Sequence, residues 1–340
     1  MARVLVMMSG GVDSSVAAAR LLDQGHDVTA VTLKLWGGES DSGCCSVSDV
    51  EDARRVAAQL GVPHYVFNFA DAFEASVVDP YIGAYAGGET PNPCVECNRT
   101  MKFGRVLARA RQLDYDFVAT GHHARVVTTD DGPALARGAD PAKDQSYVLY
   151  MLDTRELEQT LFPVGELTKA EVREQARVLG LRTADKRESM DVCFITRGGR
   201  EAFLGARIPR RSGTIVDENG AVVGTHDGID AFTVGQRRGL GVAVGERRYV
   251  TDIATATATV TVGPRATLLR DRVKLRDVHR TRAVPDPLLA QTRAHGAPFA
   301  ASLVGAELVF AQSQPRVAPG QVVAFYDGDL CCGGGIVAPD

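Results

Sequence analysis

The sequence predicts an α/β fold in which an N-terminal doubly wound parallel sheet is followed by two small β domains, the last of them a β-barrel. Up to about residue 200, short apolar runs alternate with amphipathic segments, which is typical of parallel strands joined by helices. After about residue 205, helical periodicity largely gives way to short alternating runs between Gly, Asp and Pro. We therefore expect domains at residues 1–200, 205–268 and 270–340.

The elements of the first domain follow from local patterns. Strands are predicted at the apolar runs 4–8, 28–35, 64–69 and 117–120. Helices are predicted at 16–22, 50–60, 102–113 and 167–179. Thr168 and Glu171 have capping-box spacing at the start of the last helix, and Gly180 follows its end. In the β domains, strands are predicted at 213–216, 249–253, 258–263, 301–304, 307–310 and 321–325.

Composition limits the class of protein. The chain has 340 residues, 45% of them hydrophobic, which is enough for two or three domains with buried cores. It has no apolar run of about 18 residues and no signal-peptide pattern, so we expect a cytoplasmic protein without a membrane partner. Seven cysteines, an odd number, favour reduced thiols. The formal net charge of −4 argues against unspecific coating of nucleic acid but allows a local basic surface.

A glycine- and serine-rich motif, Ser9-Gly10-Gly11-Val12-Asp13-Ser14-Ser15, lies where the first strand leads into the first helix. Its glycines let backbone N–H groups approach an anion, and the helix N-terminus favours negative charge. A lysine after the second glycine, the mark of the Walker loop, is missing. The pattern S-G-G-x-D-S resembles the loop of enzymes that split ATP into AMP and pyrophosphate, with Asp13 placed to help hold Mg²⁺. The other interpretation is an ordinary turn of small residues that binds nothing.

Strand ends place three segments together. The C-terminal ends of parallel strands form the ligand-binding edge of open α/β sheets. Residues 9–15, 33–36 and 119–122 all follow predicted strands. We therefore expect these segments to converge on one site.

Six of the seven cysteines occur as three close pairs, Cys44 with Cys45, Cys94 with Cys97, and Cys331 with Cys332. Cys97 is the better candidate nucleophile, because the basic residues that follow it favour a thiolate. Two prolines before it predict an extended approach to a helix that begins around Lys102. A lone Cys-x-x-Cys is otherwise half of a zinc site, and the sequence offers no matching second half. Cys193 taken alone, and the two vicinal pairs, are typical of buried core residues.

Taken together, eight segments resemble the tRNA-uridine 2-sulfurtransferases of the MnmA type, a family with the pyrophosphatase-type loop. They are residues 9–15, 90–98, 119–122, 143–147, 161–165, 192–195, 235–241 and 319–321. The resemblance covers nearly the whole chain in the same order. It implies an enzyme that makes 2-thiouridine at the wobble position of tRNA.

The resemblance also implies a reaction. The C2 oxygen of a flipped-out uridine attacks the α-phosphate of ATP, and sulfur then displaces AMP from C2. The sulfur comes from a persulfide on Cys193, supplied by a sulfur carrier or cysteine desulfurase, and Cys97 releases it with formation of a Cys97–Cys193 disulfide. The implied ATP contacts are Met7, Met8, Ser9, Gly10, Gly11, Val12, Asp13, Ser14, Leu33 and Gly121. The implied tRNA contacts are Asn92, Pro93, Cys94, His122, Lys143, Asp144, Gln145, Arg293, Ala294 and Gln321.

Two positions depart from the family pattern. Cys94 stands where many members have Asp, so an acid or base role there does not carry over. Cys94, Cys97 and Cys193 are alternatively three ligands of a [4Fe-4S] cluster whose open iron would bind sulfide. An Arg-Tyr pair is frequent in the last domain of the family, and the nearest match is Arg293-Ala294.

Two other functions stay open at this point. Another adenylating enzyme, acting on a small carboxylate or amide, would not need Cys97 or Cys193. A non-catalytic carrier of sulfur or of a cluster would bind an adenine nucleotide without releasing pyrophosphate. Neither accounts for the second and third domains. Basic runs after residue 99, at 207–211 and at 265–282 would form a tRNA surface or simply solvated faces.

Overall fold

The computed structural model describes residues 1–36, 47–187, 192–195, 199–242, 246–294 and 296–339, so Cys44 and Cys45 lie outside the described residues. In its first part the strands are β1 (Arg3–Met7), β2 (Asp27–Lys34), β3 (His64–Asn68), β4 (Phe117–Ala119), β5 (Ala124–Thr129), β6 (Gly132–Arg137) and β7 (Thr160–Leu161). The helices are α1 (Val12–Asp23), α2 (Val47–Leu60), α3 (Ala70–Phe73), α4 (Asp79–Ala86), α5 (Pro93–Glu96), α6 (Leu107–Gln112), α7 (Thr154–Leu157), α8 (Lys169–Val178) and α9 (Gly199–Gly205).

Five strands of the first part form a parallel sheet in the order β3-β2-β1-β4-β7. Side chains of β1 alternate between two cores: Leu5 and Met7 belong to one, Val4 and Val6 to the other. A strand that is buried on both faces has helices on both sides of its sheet. The predicted doubly wound parallel sheet is confirmed.

The rest of the chain forms two β sheets. The smaller has the order β10-β11-β8-β9, from β8 (Gly213–Val216), β9 (Val222–His226), β10 (Tyr249–Ala254) and β11 (Thr259–Gly263). The larger contains β12 (Leu269–Arg280), β13 (Leu288–Gln291), β14 (Phe299–Val304), β15 (Glu307–Pro315), β16 (Val322–Asp327) and β17 (Leu330–Val337). Because β12 pairs with both β15 and β17, these six strands close into a barrel, as predicted.

A hairpin of the first part extends the barrel sheet. Strands β5 and β6 pair with each other, and Ala136 of β6 pairs with Leu330 of β17. The cation of Arg137 lies 3.6 Å from the ring centroid of Tyr326 in β16. The sequence patterns did not predict this connection, and the domain boundaries given above stay a prediction.

The helix that carries Cys94 and Cys97 begins earlier than predicted. It starts at Pro93, continues through a π-helical segment, Cys97–Val106, and ends with α6. The prediction of an extended approach up to Lys102 is wrong because a proline fits the first helical turn, where its missing N–H has no partner to lose. The side chain of Asn92 caps this helix by accepting from the backbone N–H of Cys94 at 3.1 Å. Both thiols therefore lie in the first turns of a helix.

Helix α8 agrees closely with its prediction. Thr168 caps it and forms a full capping box with Glu171, and Gly180 follows with a φ of 63°. Within the described part of the chain, no helix combines the length and the apolar composition that crossing a membrane requires.

An aromatic cluster holds the short segment that contains Cys193. Phe194, 1% exposed, has ring-centroid distances of 6.2 Å to Trp36, 5.7 Å to Phe73, 5.2 Å to Tyr81 and 5.3 Å to Phe203. Aromatic side chains contribute large buried areas, so this ring anchors its neighbours to the first domain.

We expect Phe194→Ala to lower the free energy of unfolding by about 3–5 kcal/mol, because it removes a fully buried ring and leaves a cavity. Denaturant unfolding followed by the fluorescence of Trp36, the single tryptophan of the chain, measures the effect next to the substitution. Val66→Ala, at a side chain 48% exposed, is the control and should stay within about 0.5 kcal/mol of the unaltered protein. Equal losses in the two variants would contradict the anchoring role.

Candidate functional site

A cavity of about 350 Å³ lies at the C-terminal ends of β1, β2 and β4. The three segments expected to converge do so here, since Ser9, Leu33 and Gly121 all line it. Of the predicted ATP contacts, the lining residues are Met7, Met8, Ser9, Gly11, Val12, Asp13, Ser14, Leu33 and Gly121. The cavity also contains charged and polar side chains, namely Asp49, Lys102, His122, His123, Lys143, Gln145, Lys169, Lys186 and Arg187.

Hydrogen bonds within the loop between β1 and α1 fix its shape. Ser9 donates its backbone N–H to Ser14 Oγ at 3.2 Å, and the hydroxyls of Ser14 and Ser15 donate to the carbonyl of Gly11 at 3.1 and 2.8 Å. Gly10 has a φ of 72°, and a Cβ there would lie 2.2 Å from the carbonyl oxygen of Asp49. Only glycine fits at this position, which places the first turn of α1 at the cavity wall.

Gly121 packs directly against the same helix start. A Cβ at this position would lie 2.5 Å from the backbone nitrogen of Ser14. The loop after β4 therefore touches the N-terminus of α1, and no larger residue could replace this glycine without moving one of them.

The carboxylate of Asp13 is held by two hydrogen-bond donors, Lys169 and His123. Lys169 Nζ donates to its carboxylate oxygens at 2.7 and 2.6 Å, and His123 Nε2 lies 3.1 Å from Oδ1. Burial by itself would raise the pKa of Asp13, but the hydrogen bond from His123 and the charge of Lys169 lower it overall. The carboxylate is therefore ionised, and His123 Nε2 must carry the donated proton.

The described residues do not include a group of three or more His, Cys, Asp or Glu side chains arranged to hold a metal ion. Mg²⁺ that binds with a nucleotide takes one or two protein carboxylates, and phosphates and water complete its shell. Asp13, at the cavity wall, fits the role of such a single protein ligand.

Lys186 links the glycine loop to two carboxylates of α2. Its Nζ donates to the carbonyl of Gly10 at 3.0 Å and to carboxylate oxygens of Asp49 and Asp52 at 2.6 and 2.7 Å. Burial alone would lower the pKa of Lys186, but its bonds to the two carboxylates raise it. The lysine thus fixes the direction of the Gly10 carbonyl.

His122 is buried, 8% exposed, at the cavity wall. Its Nδ1 lies 2.6 Å from Thr120 Oγ1, and its Nε2 lies 3.4 Å from Lys102 Nζ. Burial, followed by the nearby charge of Lys102, lowers the pKa of His122 well below its ordinary value. The imidazole is therefore neutral.

The two predicted catalytic cysteines lie in one hydrophobic cluster. Cys97, 7% exposed, is among its buried members, and Cys193 is partly buried and packs against it. Cys94, by contrast, is exposed. In the described part of the chain these three thiols do not form a group that could hold a metal.

The predicted tRNA contacts fall into three places. His122, Lys143 and Gln145 line the first cavity, while Arg293 and Gln321 line a second cavity of about 540 Å³ together with Thr90, Arg200 and Arg316. Gln321 donates to the carbonyl of Thr90, and the carbonyl of Ala294 accepts from Gln291 at 3.0 Å. Asn92, Pro93 and Cys94 start the helix described above.

Asp144 is the exception among these residues, because it is only 3% exposed. Its carboxylate accepts from the backbone of Gly138 and Ser146, both at 3.0 Å, and from Arg137 at 2.9 Å. A direct contact with RNA would require these bonds to break.

Sequence reasoning missed several residues at the first cavity: Asp49, Lys102, His123, Lys169 and Lys186. Lys169 had one available signal, its position as the first residue of a well-capped helix after the sheet. Lys102 is expected only as part of a basic helix, and His123 directly follows the predicted His122. Asp49 and Lys186 come from other segments, where no local pattern marks them.

Three family models match consecutive parts of the chain. Residues 2–197 match a tRNA methyl transferase HUP domain, residues 201–264 a tRNA methyl transferase PRC-barrel domain, and residues 276–337 an aminomethyltransferase beta-barrel domain. Their order corresponds to the parallel sheet, the small β sheet and the barrel.

Curated relatives match over the full length. The tRNA-specific 2-thiouridylase MnmA of Roseiflexus sp. (strain RS-1) is 45% identical, with 100% of each chain covered. The proteins of the same description from Mycolicibacterium paratuberculosis and Chloroflexus aurantiacus are each 47% identical, with 99% of both chains covered. With this identity over its whole length, and with the sheet, cavity and barrel in the same order, the chain belongs to the tRNA-specific 2-thiouridylase (MnmA) family.

Proposed function

We propose that the protein is a tRNA-uridine 2-sulfurtransferase: it uses ATP to replace the C2 oxygen of the wobble uridine by sulfur, and it releases AMP and pyrophosphate. Family membership supports the activity. One structural observation carries the proposal. The glycine loop at the start of α1 and the helix that carries Cys97 both contribute to one cavity, through Ser9, residues 11–14 and Lys102.

ATP would bind with its phosphates at the N–H groups of the glycine loop and its adenine near Leu33. The first turn of α1 favours the anion through its dipole. Mg²⁺ would enter with the nucleotide and bind Asp13, where it would offset phosphate charge. Lys169, which now holds both oxygens of Asp13, lines the same cavity and would contact the same phosphates.

Adenylation makes the C2 oxygen a good leaving group. The uridine C2 oxygen would attack the α-phosphate, the bond to pyrophosphate would break, and the uridine would be linked to AMP. A base that reacts inside a cavity must leave its stack. The position of His122 supports this, because a side chain 8% exposed can contact only a base that enters the cavity.

Sulfur transfer would then use the two buried thiols. The terminal sulfur of a persulfide on Cys193 attacks C2, and the C2–O bond breaks as AMP leaves. The Cys97 thiolate next attacks Cys193 Sγ, and the electron pair of the broken S–S bond goes to the sulfur on C2. The products are 2-thiouridine and a Cys97–Cys193 disulfide, which a cellular dithiol must reduce before the next turnover. Their common hydrophobic cluster supports this pairing.

The reaction requires a partner that loads Cys193. We propose a cytoplasmic persulfide donor, either a sulfur carrier or a cysteine desulfurase, since a thiol becomes a persulfide only by receiving sulfane sulfur from a donor. The segment 192–195 is the place where such a donor must reach Cys193, which is only partly buried.

We expect Cys97→Ser and Cys193→Ser each to lower 2-thiouridine formation by about 10²-fold or more while tRNA-dependent pyrophosphate release continues. The thiols act after adenylation, so only the second step should fail. Mass spectrometry of digested tRNA measures the product, and a coupled assay measures pyrophosphate. Cys331→Ala is the control, because Cys331 is buried in the barrel and burial raises the pKa of its thiol to about 12.

The same assay separates the persulfide relay from the iron-sulfur alternative. With a persulfide donor, the relay gives product from Cys94→Ser protein in the presence of an iron chelator. Product that requires both Cys94 and added iron would contradict the relay. Full 2-thiouridine formation by the Cys97→Ser and Cys193→Ser proteins would contradict a role of these two thiols in sulfur transfer.

We expect Asp13→Asn to reduce tRNA-dependent pyrophosphate release by about 10²- to 10³-fold, because it replaces the carboxylate that would hold Mg²⁺ at the phosphates by a neutral amide, which is a weaker ligand. Asp23→Asn, at the far end of α1, is the matched control and should retain the rate of the unaltered protein. Initial rates over a range of Mg²⁺ concentrations provide the measurement. A rate in Asp13→Asn that equals the control would rule out a role for this carboxylate in the first step.

A further inference from the structure

Four lysines line the first cavity, Lys102, Lys143, Lys169 and Lys186, and three of them differ in the groups that hold them. Lys169 is paired with the carboxylate of Asp13, and Lys186 with those of Asp49 and Asp52. Lys102 has a neutral partner, His122, and of the described residues none offers it a carboxylate within ion-pair distance. Its positive charge is therefore not compensated by an ion pair, and an anion in the cavity would be attracted to it.

The hydrogen bonds around His122 define its state. A lysine ammonium can only donate, so Nε2 of His122 must accept from Lys102. Nδ1 then carries the proton and donates to Thr120 Oγ1, which also accepts from the backbone N–H of His122 at 3.3 Å. Two donors match the two lone pairs of this hydroxyl oxygen. In this arrangement both ring nitrogens of a neutral imidazole have a partner.

The ring of His122 is also fixed by packing. Its centroid lies 6.1 Å from that of Phe103 and 6.0 Å from that of Phe162. A rigid neutral acceptor can orient the ammonium of Lys102 without cancelling its charge. A carboxylate in the same place would orient it too but would neutralise it.

The position of Lys102 indicates which phosphate of ATP it would contact. Lys186 supports the Gly10 side of the loop, whereas Lys102 lies beside His122, which follows the Gly121 that touches Ser14. Lys102 also lies in the helical segment that begins with Cys97. The uridine base must lie on the Lys102 side of the cavity, because its C2 atom has to meet the sulfur that Cys97 releases.

We propose that Lys102 is a catalytic residue that binds the α-phosphate of ATP during adenylation of the uridine, and that His122 is its positioning residue. This inference rests on the proposed function. As the C2 oxygen attacks, negative charge grows on the α-phosphate oxygens, and an oriented ammonium stabilises that charge more in the transition state than in bound ATP.

The test is Lys102→Met, assayed in a single turnover with α-labelled ATP and unmodified tRNA. We expect AMP transfer to slow by about 10²- to 10³-fold, while the affinity for ATP falls by less than about tenfold. Lys34→Met, an exposed lysine at the end of β2 that does not line the cavity, is the control for loss of one positive charge. Lys102→Gln keeps a polar end on the side chain, and it is the second variant that shows whether the loss of rate in Lys102→Met comes from a folding defect.

The two products of adenylation show which phosphate is bound. In Lys102→Met, the inhibition constant of AMP, measured in competition with ATP, should rise about 10- to 100-fold. The inhibition constant of inorganic pyrophosphate should stay within about twofold of that of the unaltered protein. An equal loss for both products would overturn the assignment to the α-phosphate. For His122, the Phe variant should lose rate, and the Gln variant, which retains an acceptor oxygen, should recover part of it.

The outcomes separate this inference from the proposed function. If the unaltered protein forms no tRNA-dependent AMP, the proposed function is overturned and this inference falls with it. If the unaltered protein and Lys102→Met transfer AMP at the same rate, only the role of Lys102 is overturned.

Discussion

The close approach of Gly121 to the start of α1 is the constraint on which the rest of the site depends. A Cβ at position 121 would lie 2.5 Å from the nitrogen of Ser14 and 2.7 Å from the carbonyl carbon of Asp13. Because β1 and β4 are adjacent parallel strands, the loops that follow them leave the same edge of the sheet. Glycine lets these loops touch. The contact then determines where the next two residues lie: His122 beside Lys102 and His123 beside Asp13.

Charge in the cavity is arranged before any ligand arrives. Burying a charged group is costly unless it is paired and hydrogen-bonded. Asp13 and Lys186 meet this condition through several partners, and Lys169 meets it through both oxygens of Asp13. An anion that enters can exchange with an existing carboxylate at Lys169, whereas at Lys102 it meets a charge with only a neutral acceptor. The two arrangements suit different tasks. An exchangeable pair suits binding and release, and an unneutralised, oriented cation suits charge that appears only during reaction.

Local signals in the sequence were sufficient for the parts of the structure that depend on local rules. The glycine loop, the capped helix α8 and the alternating strands follow from backbone geometry and periodicity, and the convergence of three strand ends follows from topology. The start of a helix at Pro93 was missed because proline was read as a break, although it is tolerated in a first turn. Asp49, Lys169 and Lys186 were not predicted for a different reason: only the cavity brings them together, and they lie in separate segments of the chain.

The barrel also helps to position the wall of the first cavity. Arg137, in the hairpin that extends the barrel sheet, donates to Asp144 at 2.9 Å and to Gln291 of β13 at 2.6 Å, and it stacks on Tyr326 of β16. Asp144 lies between Lys143 and Gln145, both of which line the cavity. Gln291 in turn donates to the carbonyls of Arg293 and Ala294. A buried polar network of this kind is favourable in one geometry and costly in others. The barrel therefore fixes the segment 143–145, and the position of the cavity wall depends on strands that are more than a hundred residues away in sequence.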